Sequence, residues 1–398
     1  MKNDLFLCVD IGQSRLKIAI YNSKLKPLHE NSTDLETIQV ENGYAERDMD
    51  YLWKQFYNLI KTVLVKNKFF QKNLSYICIT GHGDGLFPID KNGMPVRNAI
   101  ISIDTRARNI SDQFNKKHKK KLLKYIGQLT TANNPAMIIK WLIKNEKNTV
   151  KKSRWFLYCK DWINYKLTGR ISTDFSSASA GLTNVKNGKY DDKIFEMYGF
   201  SKFKEKFPNI EASNSTKGLL NRAIKKQLLL SKDVKVLEGL HDISAAMIGM
   251  NSLNENKLLL IGGTFGISQI LSDKMIINEN QDGIDRFEVR GKYTKEKHMK
   301  LRDYYKNPEL HNWSIFTCVR KPLNRLISLY FSPSRHVKKD PVTKKFFFPK
   351  TVEFNIDEFK NLVNKVPSCL QMLFLSSQND FIPTNLKILR TENLNKDC

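Results

Sequence analysis

The stretch DLFLCVDIGQSRLKIAIYN, residues 4–22, holds two apolar runs of strand length joined by a tight turn around Gly12. Its polar residues Asp10, Gln13 and Ser14 gather at the turn instead of alternating through the run, which predicts two short strands with a small polar loop between them. The same architecture returns at residues 256–271, NKLLLIGGTFGISQIL: apolar strand, small turn with Gly263 and Thr264, second strand. A chain that builds one strand–turn–strand unit twice is constrained toward a duplicated fold, its second copy beginning near residue 257.

What lies between the two copies points to the α/β class. A third strand is expected around LETIQVEN (35–42), and DMDYLWKQFYNLIKTVLVKN (48–67) places Leu52, Phe56, Leu59 and Val63 at helical spacing behind acidic residues. SYICIT (75–80) reads as a buried strand running into GHGDG, and LFPIDKNGMPV (86–96) as a hairpin around Asn92-Gly93. Helices follow at NPAMIIKWLIKNE (134–146) and KDWINYKLTG (160–169), the second ended by Gly169, and LEGLHDISAAMIGM (237–250) is a turn opening onto a helix. Strands alternating with helices make an α/β pattern.

Two short elements carry chemistry. In DIGQS, Asp10 can hold a metal while the Gly12-Gln13-Ser14 turn offers backbone N–H groups to phosphate, although an ordinary hairpin has the same composition. In GLHDIS, Asp242 opens a helix, a position that suits an N-cap as well as a catalytic base.

Six stretches in one order resemble the FGGY carbohydrate kinases: VDIGQSRLK, NGYAERDMDYLW, TGHGDGLFPIDKNGMPVRNAIISIDTRA, KDWINYKLTGRISTDFSSAS, GLHDISAAMIG and LIGGTFG, spanning residues 5 to about 270. GHGDGLFPIDKNG is most similar to the xylulose-kinase-like branch. The resemblance implies an actin-like, ribonuclease-H-like kinase domain over residues 1–256, with sugar bound in the first domain and ATP between two domains. It also implies roles. Asp10 would organise Mg²⁺ and phosphate with Gly12, Gln13 and Ser14, and Gly263 and Thr264 would form a second phosphate loop. His82, Gly83 and Asp84 would meet the sugar hydroxyls. Asp104 and Arg106 match a D-x-R element of the substrate site whose usual Trp is Ser102 here. Asp242 would be the base that takes the proton of the attacking hydroxyl.

The kinase resemblance stops just after Thr264. Residues 257–285 are therefore expected to be a truncated start of the second kinase domain and a junction, and the kinase to be impaired by the missing adenosine pocket. From 286 to 398 the chain resembles part of the sulfotransferases that use 3′-phosphoadenosine 5′-phosphosulfate, which implies a partial P-loop-type α/β domain. The segment FTCVRKPLNRLISLYF (316–331) has a strand, an Arg, a Pro and a helix; KEKHMKLRDYYKNPELHNW, LYFSPSRH and LKILRTENLNKDC flank it in the family's order. There Arg320 and Ser328 would bind the 3′-phosphate of that cofactor. Three readings stand side by side: an ATP-dependent ketose kinase, a carbohydrate sulfotransferase, and a non-catalytic chimera of two partial enzymes.

Composition narrows the partners. The 66 Lys and Arg against 40 Asp and Glu give a net charge of +26, compatible with nucleic acid or with anionic ligands. The basic blocks NKKHKKKLLK and RHVKKDPVTKK lack interleaved aromatics, so they read as solvated surface and nucleic acid is not the expected partner. Six scattered cysteines without a CxxC pair argue against a zinc site or a disulfide framework. The run LFLCV is stopped by Asp10, and no run approaches the ~20 apolar residues of a membrane span, so a cytoplasmic protein is expected. Apolar surface left by an unpaired half-domain would favour a homo-oligomer.

Overall fold

The computed structural model describes residues 4–41 and 43–250, and beyond them the strand backbones at 257–262, 266–270, 314–319, 338–339, 346–347 and 388–390. The chain forms two compact units that part between Ala246 and Met247.

In the first unit, β1 (Leu5–Ile11) and β2 (Arg15–Asn22) run antiparallel from Leu5↔Asn22 to Ile11↔Leu16. Their alternation is strict: Leu5, Leu7, Val9, Ile11, Leu16, Ile18 and Ile20 enter the core. The third strand of the sheet is β3 (Pro27–Asp34), not the LETIQVEN stretch, whose β4 (Ile38–Glu41) pairs instead with β5 (Tyr44–Arg47). β3 is the outermost strand and mostly exposed, so its polar sequence has no core face to betray it.

α1 (Met49–Leu64) begins at Asp48, whose carboxylate accepts from the Tyr51 N–H, and buries Leu52, Phe56, Leu59 and Val63 as its spacing predicts. After α2 (Lys68–Asn73), β6 (Leu74–Gly81) lies parallel to β1. β7 (Phe87–Ile89) leads into the turn at Asn92-Gly93, where Asp90 Oδ1 accepts from the N–H groups of Asn92 and Met94. β8 (Ala99–Ile100), α3 (Arg108–Ile126), α4 (Pro135–Asn145), α5 (Lys147–Lys152) and β9 (Trp155–Leu157) follow. Then come α6 (Cys159–Thr168), ended by Gly169 at φ +73°, β10 (Thr173–Asp174), α7 (Phe175–Ala178) and α8 (Asp192–Tyr198). β11 (Ile210–Glu211), β12 (Thr216–Leu219), α9 (Arg222–Gln227), β13 (Lys235–Leu237), β14 (Leu240–His241) and α10 (Asp242–Gly249) complete the unit.

The sheet order is β12-β13-β6-β1-β2-β3, with β14 beside β6. One core joins its buried face to α1 and α6, and Trp162 locks them by donating to the Met49 carbonyl at 3.2 Å. A second core, with Phe114, Met137, Phe195 and Phe200, is built by α3, α4 and α8.

In the second unit, β15 (Lys257–Gly262) and β16 (Gly266–Ile270) form the expected pair of strands, antiparallel to each other. β17 (Ser314–Val319) falls on the FTCV strand and lies parallel to β15. β18 (Lys338–Lys339) and β19 (Phe346–Phe347) form a short ladder, and β20 (Ile388–Arg390) lies parallel to β17. The order β16-β15-β17-β20 repeats β2-β1-β6-β13 of the first unit: one antiparallel pair, then two parallel neighbours. The strands assigned from sequence to a separate sulfotransferase-like part thus join the sheet that β15 begins. Among the described residues no helix is long and apolar enough to cross a membrane.

Candidate active site

Three parallel neighbours end together. Ile11 of β1 is level with Gly81 of β6, and Gly81 is level with His241 of β14. The His82 N–H closes on the Ile11 carbonyl at 3.0 Å and Thr80 Oγ1 donates to the Leu240 carbonyl at 2.8 Å, so the three ends are tied. Asp10, the His82–Asp84 loop and Asp242 are therefore delivered to one place, the carboxyl edge of a sheet, where open α/β folds bind ligands. Asp84 holds φ +57°, a left-handed conformation that Asp tolerates better than most residues.

Asp242 is the first residue of α10 and its side chain is 35% exposed. Burial lifts its carboxyl to about 7, and the negative charges of Asp10 and Asp84 push the same way against the hydrogen bond from the Ile243 N–H. A carboxyl poised there can take a proton near neutral pH and give it up again.

Around this edge three buried polar atoms have no hydrogen-bond partner among the described residues: Gln13 Oε1, Arg47 Nη1 and His82 Nε2. They are neighbours. Arg47 donates to the Gln13 carbonyl, to the Glu36 carbonyl at 3.1 Å and to Thr37 Oγ1 at 3.3 Å. Burial, then the Arg47 charge, holds His82 down at about 3, so its imidazole is neutral. Buried polar groups left open in this way call for a polar ligand.

A model of the N-terminal domain of the FGGY family of carbohydrate kinases matches residues 5–249, more than half of the chain. The chain belongs to that family. The probable L-xylulose kinase of Pasteurella multocida is 26% identical over 264 residues, 66% of this chain and 55% of that protein. The xylulose kinase of Staphylococcus xylosus is 27% identical over 262 residues, 65% of this chain and 53% of that protein. Among solved structures, a ligand-bound xylulose kinase from Lactobacillus acidophilus superposes with a TM-score of 0.62 at 20% identity, covering 67% of this chain and 54% of that one. The chain thus spans about half the length of the curated relatives it matches, and the solved structure carries the fold alone. None of these similarities concerns a sulfotransferase, and the reading built on 3′-phosphoadenosine 5′-phosphosulfate gains no support from them.

Within this FGGY frame the expected site residues separate. Asp10, Gln13, His82, Gly83, Asp84 and Asp242 share the strand-end cluster, with Gly12 and the exposed Ser14 in the turn beside it. Asp104 and Arg106 do not present themselves to a sugar. Asp104 is 1% exposed and accepts from the Ala45 N–H at 2.7 Å and from Arg106 Nε at 3.0 Å; Arg106 also reaches Glu46 at 2.8 Å and lies over Tyr44 and Trp141. In this structure the pair fastens β5. Gly263, Thr264, Arg320 and Ser328 lie outside the described residues.

Sequence reasoning missed Arg47, His241 and the charged group beneath them. Buried Lys160 reaches Asp161 at 2.7 Å and Asp174 at 2.9 Å. Burial would lower the Lys160 ammonium, but Asp161, Asp174 and Glu238 outweigh it and raise it. Burial would lift Asp174, yet Lys160, Ser176 and Ser177 bring it to about 2. Asp174 accepts from Ser176 Oγ, and Ser176 Oγ accepts the His241 N–H at 2.9 Å. The available signal was that they all fall inside quoted stretches: Arg47 in NGYAERDMDYLW, His241 in GLHDISAAMIG, and Lys160, Asp174 and Ser176 in KDWINYKLTGRISTDFSSAS.

The donor set suits magnesium in part. Among the described residues no three His, Cys, Asp or Glu side chains converge as a metal cage. A half-exposed hard oxygen donor is present in Asp10, 3.5 Å from Lys17 Nζ, and magnesium is commonly held by one or two carboxylates together with substrate phosphates.

Proposed function

We propose that this chain is an ATP-dependent sugar kinase that phosphorylates a hydroxyl of a ketose such as a pentulose. The observation that carries the proposal is the half-buried Asp242, lifted to about 7 beside Asp10 and Asp84 at the joined strand ends. The relatives named as xylulose kinases supply the substrate class.

Asp84, His82 and Gln13 bind and orient the sugar hydroxyls, with the fully buried Arg47 holding the Gln13 backbone in place. Asp242 then accepts the proton of the attacking hydroxyl as that oxygen bonds to phosphorus, so that no alkoxide need form beforehand. Asp10 would hold Mg²⁺, and the Gly12–Ser14 turn the phosphates; the bound metal and nucleotide supply the phosphoryl group and neutralise its charge. Gly12 suits a tight turn: its N–H already bonds the Arg15 carbonyl at 3.0 Å, and an added Cβ would meet that same oxygen at 3.0 Å.

Asp242→Asn keeps the shape and removes the base. With D-xylulose or L-xylulose and ATP–Mg²⁺, turnover should fall by about 10²–10⁴, with sugar binding by calorimetry retained. Unchanged turnover in the Asn variant would remove Asp242 from the mechanism.

A further inference from the structure

A base lifted to about 7 holds the proton it takes, and the next turnover needs that proton removed. We propose that His241 is the proton partner of Asp242, receiving on Nδ1 the proton that Asp242 has taken from the acceptor hydroxyl. The inference rests on the kinase reading above and adds a residue to it.

The geometry is direct. His241 Nδ1 lies 3.1 Å from Asp242 Oδ1. The same nitrogen accepts from the Ile243 N–H at 3.2 Å, so in the resting arrangement it carries a lone pair and the ring proton sits on Nε2. Asp242 Oδ1 accepts from that same N–H at 2.7 Å. One donor is thus shared by two acceptors, and once Asp242 is protonated its O–H can donate to Nδ1 while the N–H stays bonded.

The ring is held for this. The His241 N–H is anchored on Ser176 Oγ, its strand pairs with Gly81, and its side chain is 7% exposed. Its far edge rests where Gly83 has no side chain: a Cβ there would lie 1.7 Å from Nε2. The charged and titratable groups around the pair are Asp10 from β1, Asp84 from the loop after β6, and Cys159 at the start of α6, whose thiol is pushed up to about 12 by burial. Asp174 adds to them through Ser176.

The step balances. The acceptor O–H bond breaks, its electron pair forms the bond to phosphorus, and the phosphorus–oxygen bond to ADP breaks. The proton moves to Asp242 Oδ1, then to His241 Nδ1. The imidazolium releases one proton to solvent and both groups return to their starting state.

His241→Asn tests it, because the Asn oxygen occupies nearly the place of Nδ1 and still caps the Ile243 N–H but does not carry the proton. With the full chain, D-xylulose or L-xylulose and ATP–Mg²⁺, kcat should fall about tenfold or more with the sugar KM within about twofold. Its solvent deuterium isotope effect should rise, and added imidazole should restore part of kcat. Wild-type kcat in His241→Asn reduces His241 to a helix cap and overturns the proposal. A second arm does not need turnover. In ¹⁵N spectra of the histidine rings, the Nδ1 signal of His241 should move across the pH range in which Asp242 titrates, and Asp242→Asn should displace that movement to a different pH. A signal identical in both proteins overturns the coupling. Absence of turnover in wild type overturns the kinase reading instead, and the spectra still decide whether the two groups share a proton.

Discussion

Asp242 gains its basicity from burial first and from Asp10 and Asp84 second, and the sign of the resulting pH dependence follows. Only the ionised carboxylate accepts a proton, so with its midpoint raised to about 7 the active fraction grows as pH rises and levels off above it. In the xylulose assay kcat/KM should climb about tenfold per pH unit below 7 and flatten above 8. Asp84→Asn removes one neighbouring negative charge and should move that midpoint toward lower pH. A profile flat from pH 5 to 9, or a midpoint moved upward by Asp84→Asn, would contradict the assignment. At this scale the sequence singled out Asp10, Asp84 and Asp242 because each stands in a short Gly-containing motif, and the structure brings those strand ends together. The burial and pairing of Asp104 and Arg106 were not legible, since a motif tells nothing of burial. The sequence left His241 and Arg47 unseen, because their significance arises only when β14 meets β6 and when Arg47 meets Gln13 and His82.

Elements with one buried stripe were legible. In α1 and α4 the apolar spacing, the Asp48 and Asn134 caps and Pro135 in the first turn agree, and in α6 Gly169 marks the end. β3 was not legible, being an edge strand with little to bury, and the role of α6 was only half legible. Its Lys160 would pass for a surface residue by type, yet it is 1% exposed and binds together α6, β10 and the carbonyl of Glu238. A second buried pair, Lys217 with Glu238 at 3.1 Å, lies beside it. Removing one partner of such a network strands the other charges without compensation. Lys160→Met, which keeps length and removes charge, should therefore cost about 3–5 kcal/mol in urea unfolding. The double variant Lys160→Met with Asp174→Asn should recover part of the loss, whereas a strictly additive result would show the two side chains to be uncoupled.

For the whole molecule, the repeat of β2-β1-β6-β13 as β16-β15-β17-β20 says that the duplication visible in two strand–turn–strand motifs extends to the neighbouring strands. That extension was hidden because parallel neighbours are far apart in sequence and share no turn. β17 is central in its sheet: Thr317 is level with Leu260 on one side and with Ile388 on the other. Whichever side its N–H faces, proline at this position removes a donor from a ladder and sets a ring against a neighbouring strand. Thr317→Pro should therefore destabilise the second unit, seen as a lower-temperature transition in calorimetry. The candidate sugar contacts Gln13, His82 and Asp84 all belong to the first unit, whose core is assembled from residues before Ala246. Calorimetric affinity of the Thr317→Pro variant for the ketose should consequently stay within about twofold of the unaltered chain. If sugar affinity falls more than tenfold, the sugar site depends on the second unit, and the assignment of its contacts to the first unit alone fails.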